Sequence, residues 1–95
     1  MIIATITETN KHLVIECTGH SMGTDEPCAR MSTTLDLIKV FMTRFISDST
    51  RKNGYTYLKI IKSPLSEENL VSAITYLQEL SNLYPAHIQI IERKN

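Results

Sequence analysis

The strongest constraint on this chain is a change of hydrophobic period near residue 19. Before it, side chains alternate with a period of two. Ile2, Ala4 and Ile6 share one face of residues 2–7, and Leu13, Ile15 and Cys17 share one face of residues 12–18. The polar run Glu8-Thr9-Asn10-Lys11 lies between them, so the pair reads as a β-hairpin that Gly19 ends. After residue 27 the period becomes helical. Cys28, Met31, Leu35, Ile38, Met42 and Phe45 recur at steps of three and four and predict an amphipathic helix to about residue 47. Leu37, Phe41 and Ile46 widen its apolar face, so deep burial is expected. Pro27 suits a first helical turn and pushes Glu26 out of the helical region, which sets the boundary.

The remainder alternates between the same two patterns. Asp48 to Gly54 is polar and closes on the turn signal Asn53-Gly54. Residues 55–62 predict a third strand, with Leu58 and Ile60 on one side and Tyr55, Tyr57 and Ile61 on the other. Ser63-Pro64-Leu65 turns the chain. Ser66 is a candidate cap for a second helix, with Glu67 and Glu68 in its first turn. Leu70, Ile74, Leu77 and Tyr84 form its stripe, supported by Val71 and Leu80, and Pro85 lies beyond its end. Residues 86–92 predict a last strand through Ile88 and Ile90.

The order β-β-α-β-α-β implies an α+β fold. The expected form is a two-layer α/β sandwich with a mostly antiparallel four-stranded sheet and both helices on one face. Ninety-five residues make one domain, 1–95. Val14, Tyr55, Tyr57 and Ile61 fall on the outer face, where an apolar surface with aromatics suits a homodimer contact. Scattered exposed side chains are the plainer reading of that face.

Charge and composition narrow the function. Ten basic residues balance ten acidic ones, so no long-range field draws a polyanion, and nucleic acid is not the expected partner. Tyr55 and Tyr57 could form a base-stacking platform, but no basic field surrounds them. No apolar run reaches the roughly 18 residues that a membrane span needs. The first residues lack the basic and apolar regions of an export signal, so the expectation is a cytoplasmic protein with free thiols at Cys17 and Cys28.

Residues 19–32 carry the chemistry. Cys28 falls in the first turn of a helix, where unsatisfied N–H groups and the helix dipole favour a thiolate, the competent nucleophile. His20 follows a strand end fixed by Gly19, and seven residues separate it from Cys28. An imidazole within reach would take the thiol proton and return it to a leaving amine. The N–H of Cys28 or Ala29 could receive a developing oxyanion. Asp25 could orient the imidazole or cap the helix. The alternatives are plain: a small core cysteine beside a polar loop histidine, or part of a zinc site through Cys17, His20 and Cys28. The zinc reading lacks a fourth ligand, because Cys17 alternates with Leu13 and Ile15 and points into the core. No metal or cofactor is expected.

These residues resemble the ribosomal-processing cysteine proteases of bacteria, the Prp family. That family carries Gly-His-Ala after its second strand, then Gly-x-Asp-x-x-Cys-Ala opening a helix, with a serine four residues beyond the cysteine. Gly19-His20-Ser21 is similar to the first motif, with Ser21 in place of alanine. Gly23-Thr24-Asp25-Glu26-Pro27-Cys28-Ala29 is similar to the second, and Ser32 falls at the serine. The resemblance implies a Cys–His dyad of Cys28 as nucleophile and His20 as general base, with Gly19, Asp25, Ala29 and Ser32 in supporting positions. It implies a homodimer that removes the N-terminal extension of a large-subunit ribosomal protein precursor; phage relatives process virion proteins. Two departures stand out: the segment from His20 to Cys28 is shorter than the family's loop, and Pro27 replaces an apolar residue. A non-catalytic ribosome- or virion-associated module of the same fold, or a protease with another substrate, is the alternative.

Overall fold

A computed structural model describes every residue except Met22, which lies between the two motifs. The chain runs β1 (Ile2–Glu8), β2 (His12–Thr18), α1 (Glu26–Phe41), a 3-10 turn (Thr43–Phe45), β3 (Ile46–Lys52), β4 (Tyr55–Ile61), α2 (Glu67–Leu83) and β5 (Ile88–Lys94). The strands form one five-stranded sheet in the order β3-β4-β2-β1-β5. β1 pairs with β5 in parallel; the other three pairings are antiparallel. The α+β class matches the sequence expectation, while the sheet is mixed and holds one strand more than the four expected.

The topology places the helices. α1 crosses from β2 to β3 and α2 crosses from β4 to β5, in opposite directions across the sheet and from strands of opposite sense. Right-handed crossovers of that kind lie on the same face. Register and burial agree with this placement. Ala4 faces Cys17 and Ile6 faces Ile15 across β1–β2, and Ile15 faces Leu58 across β2–β4. These side chains are buried together with Met31, Leu35 and Ile38 of α1 and Leu70, Leu77 and Leu80 of α2. Truncating a fully enclosed member such as Ile15 or Leu77 to alanine would cost about 2–5 kcal/mol.

The extra strand, β3, occupies residues that the sequence reading divides between helix and polar loop. α1 ends at Phe41, not near residue 47. Thr43 Oγ1 bonds the carbonyls of Lys39 and Val40, and the Met42 N–H closes on Ile38. Those contacts take up acceptors that a further helical turn would use. Leu37 and Phe41 are 51% and 69% exposed, so they do not widen the buried face as expected. Leu37 stands about 200° around the helix from Leu35. Val71 of α2 is likewise 62% exposed, and Ala73 takes its place in the core.

β3 is an edge strand whose helix-facing positions are Ile46, Ser49 and Arg51, opposite Ile60, Leu58 and Thr56, with a register shift after Ile46. Its missing hydrophobic alternation has a physical cause: Arg51 faces an open cleft rather than core. Ser66 stands at the head of α2 but makes no side-chain cap. Its buried hydroxyl instead bonds Ile61 O and Ser63 O, and accepts from the Ser63 N–H at 2.9 Å.

Candidate active site

The site lies at one end of the sheet, where β2 stops, α1 starts and the β3–β4 hairpin turns. Glycine makes this junction possible. Gly19 has φ +94°, and a Cβ there would stand 2.2 Å from the Met1 carbonyl oxygen. Its N–H donates to the Gly54 carbonyl at 3.0 Å, which ties the end of β2 to the hairpin turn. The Met1 nitrogen donates to the His20 carbonyl at 2.8 Å. Backbone bonds therefore hold both sides of His20, and among the described residues its imidazole makes no hydrogen bond.

The imidazole is exposed and rests over Gly54. A Cβ at Gly54 would come within 2.7 Å of Nε2, so the ring occupies space that only glycine leaves open. Gly54 also takes φ +75°, as a tight hairpin turn requires. The Asn53-Gly54 signal therefore marks more than the end of a polar stretch. It joins two strands and supplies the shelf on which His20 sits.

Cys28 is the third residue of α1, half-buried against the core. Its sulfur is held by Ser21. The Ser21 N–H donates to Sγ at 3.1 Å, and Ser21 Oγ lies 3.2 Å from it. The Ser21 hydroxyl also bonds the Thr24 carbonyl. Among the described residues no hydrogen bond joins His20 to Cys28. Of the backbone donors considered for an oxyanion, the Ala29 N–H is taken by the Asp25 carbonyl at 3.0 Å. Pro27 has no N–H, so the Cys28 N–H is the donor best placed beside the sulfur.

Gly19, His20, Asp25, Cys28, Ala29 and Ser32 all line one cleft of about 630 Å³. Asp25 occupies the N-cap position of α1 without a side-chain cap bond. Ser32 follows Cys28 by four residues, hence on the same helical face. The opposite wall comes from residues 51–56, which the sequence reading did not bring to the site. Arg51 reaches across from β3 to form an ion pair with Asp36 of α1. Cys17 lies in the floor. Burial pushes its thiol up to about 11, with nearby Cys28 adding to the shift and Arg51 opposing it. Among the described residues no three His, Cys, Asp or Glu side chains gather to hold a metal.

At the start of α1, Tyr84 at the end of α2 donates to Glu26 Oε1 at 2.8 Å, and Arg30 donates to the same oxygen at 3.2 Å. These bonds hold the Glu26 carboxyl below its ordinary range. They pin the start of α1, and so Cys28, to the end of α2.

Fold and cleft together define a two-layer α+β protein with a thiol at a helix start and an imidazole on the facing sheet end. Neither a protein-family model nor a curated protein matches the chain. Solved structures do. The chain has the fold of the essential ribosomal processing protease Prp from S. aureus. Against Prp in complex with a substrate peptide, the TM-score is 0.81 at 19% identity, over 98% of this chain and 100% of that one. Against Prp with a covalently linked product peptide it is 0.80 at 20% identity, with the same coverage. SMU.848 from Streptococcus mutans gives 0.74 at 20% identity, over 100% and 99%. At these identities the likeness is one of fold, and at that level it agrees with the family resemblance read from the sequence.

Proposed function

We propose that this protein is a cysteine endopeptidase whose nucleophile is Cys28 and whose general base is His20. The observation that carries the reading is the shared cleft: a thiol in the first turn of α1 and an imidazole at the end of β2 open into the same space. In the reaction His20 leaves its shelf over Gly54 and takes the Cys28 proton. The thiolate adds to the scissile carbonyl, and the Cys28 N–H receives the oxyanion. The imidazolium protonates the departing amine, and water, deprotonated by the same imidazole, hydrolyses the thioester. Separation of base and thiol before substrate binds is compatible with this, since such bonds commonly tighten in the complex.

The proposed substrate is the N-terminal extension of a large-subunit ribosomal protein precursor. Its support is the likeness to Prp structures that hold substrate and product peptides. A cytoplasmic location and a homodimer belong to the same proposal. Support for self-association is the apolar surface left open: Ile61 on the outer sheet face, and Val40, Phe41 and Tyr76 on the helices. Light scattering on the eluted peak tests it, and a strictly monomeric mass sinks it.

The test of activity is incubation with the precursor, read by intact mass. Wild type should release one defined N-terminal peptide, and Cys28→Ala and His20→Ala should not. Equal release by all three, or none by wild type, ends the proposal. One observation favours a second reading, a non-catalytic binding module: Cys28 is held by Ser21 and not by His20. That reading requires Cys28→Ala to retain precursor binding while wild type cleaves nothing.

A further inference from the structure

We infer that Ser21 is a thiolate-stabilising residue, acting through its side-chain hydroxyl on Cys28 Sγ. The inference rests on the reading of Cys28 as the reactive thiol and adds a residue to which the family resemblance gives no role, since alanine stands there in the motif. Among the described residues, Ser21 is the one that hydrogen-bonds the sulfur. Its N–H is 3.1 Å from Sγ and its Oγ 3.2 Å, while the same hydroxyl bonds the Thr24 carbonyl.

A serine hydroxyl has one proton and two lone pairs, so it cannot donate to both neighbours at once. With Cys28 protonated, one arrangement satisfies every group. The Ser21 O–H donates to the Thr24 carbonyl, the Cys28 S–H donates to Ser21 Oγ, and the Ser21 N–H donates to sulfur. Ionisation breaks the S–H bond alone, and that proton passes to buffer base or to His20. The Ser21 proton stays on its oxygen and rotates from the Thr24 carbonyl to the sulfur. The thiolate then accepts two hydrogen bonds, both charge-assisted and stronger than their neutral counterparts. The rotation costs a bond to one carbonyl at an exposed turn, where water replaces it. Without the hydroxyl the thiolate would have one donor fewer.

The short segment from His20 to Cys28 gives this role its place. Gly19 and Met1 hold the backbone before Ser21, and Thr24 anchors its hydroxyl, so the oxygen is oriented before any substrate arrives. Ser21 thus holds and polarises the thiol while His20 sits over Gly54.

The test is the pH dependence of iodoacetamide alkylation at Cys28, mapped by peptide mass so that Cys17 is scored separately. Ser21→Ala keeps the backbone N–H and removes the hydroxyl. It should slow alkylation at pH 7 about three- to tenfold and move the midpoint of the pH–rate curve upward. Ser21→Thr, which keeps a hydroxyl, should restore both. An unmoved or lowered midpoint in Ser21→Ala overturns the inference. Should that variant not fold, the unmutated protein gives a second readout through the infrared S–H stretch that Cys28→Ala removes. A stretch lowered by donation to oxygen supports the arrangement, and one at the free-thiol frequency overturns it. Neither readout needs a peptide. A protein that alkylates as described but cleaves nothing loses the protease reading alone, and one that cleaves while Ser21→Ala alkylates like wild type loses this inference alone.

Discussion

The two ends of the sheet are closed by different means. At the end where β1 stops and β4 runs out, side chains reinforce backbone bonds such as the one from the Lys62 N–H to the Lys11 carbonyl. Lys62 Nζ donates to Glu8 Oε1 at 2.8 Å and to the Thr9 carbonyl at 3.1 Å, and Ser66 is buried in the turn before α2. At the cleft end the ties that flank His20 are backbone to backbone, through Gly19, Gly54, Met1 and the His20 carbonyl. The first end commits Lys62, Glu8 and Ser66 to structure. The second leaves an imidazole and a thiol available. A site built on glycine-held backbone can present reactive side chains because it does not need them for support.

If that contrast is right, glycine substitutions should matter most at the cleft end. Gly19→Ala combines a positive φ with a Cβ driven into the Met1 carbonyl, a backbone atom that cannot swing aside. The expected loss is about 3 kcal/mol or more, or roughly 12 °C and upward in melting temperature. A loss below about 1 kcal/mol in thermal unfolding would mean that the end is held by something other than this backbone.

Ser66→Ala probes the other end. The variant strips the part-buried Ser63 N–H of its acceptor and leaves a cavity at the buried Ser66, and the loss of such a bond costs about 1–3 kcal/mol. Gly54→Ala should cost less, about 1 kcal/mol, because the obstructing group is an exposed imidazole that can move. Its signature lies elsewhere: the NMR resonances of His20 should shift as the ring leaves the shelf. An unchanged His20 spectrum would break the link between hairpin and base.

The same contrast explains what could be read in the sequence. The core was legible wherever a strand or helix buries one face, because apolar side chains then recur at the structural period. Ile2, Ala4, Ile6, Leu13, Ile15, Leu58 and Ile60 all sit as that pattern requires. β3 was not legible, since after Ile46 its inward positions pass to Ser49 and to Arg51, which faces the cleft. The outline of the cleft was legible, because His20 and Cys28 flank a period change, and the residues named from the sequence line it. The partner of the thiol was not. A serine hydroxyl carries no sequence signal that separates a loop residue from one bonded to sulfur, and only the turn back from Thr24 brings Ser21 to Cys28. The hairpin wall could have been found from Asn53-Gly54, since a two-residue turn of that type demands a strand on each side.

The smallest expected effect falls at the side-chain-tied end and has a definite sign. The hydrogen bond from Lys62 holds the Glu8 carboxyl below its ordinary value of 4.5, with burial working against it. A carboxyl whose value is depressed in the folded state stabilises the protein above its unfolded value and loses that contribution as pH falls through the folded one. The Glu8 side chain is 35% exposed and Lys62 29%, so water screens the pair and its worth is about 0.5 kcal/mol. Glu8→Gln should therefore lower unfolding free energy by about that amount at pH 7, and the gap to wild type should close as pH drops below 4.5. Denaturant titrations at neutral and acid pH measure it. A gap that persists at acid pH would show that the Glu8 side chain acts there by packing rather than charge, and the contrast between the two ends would then rest on Ser66 alone.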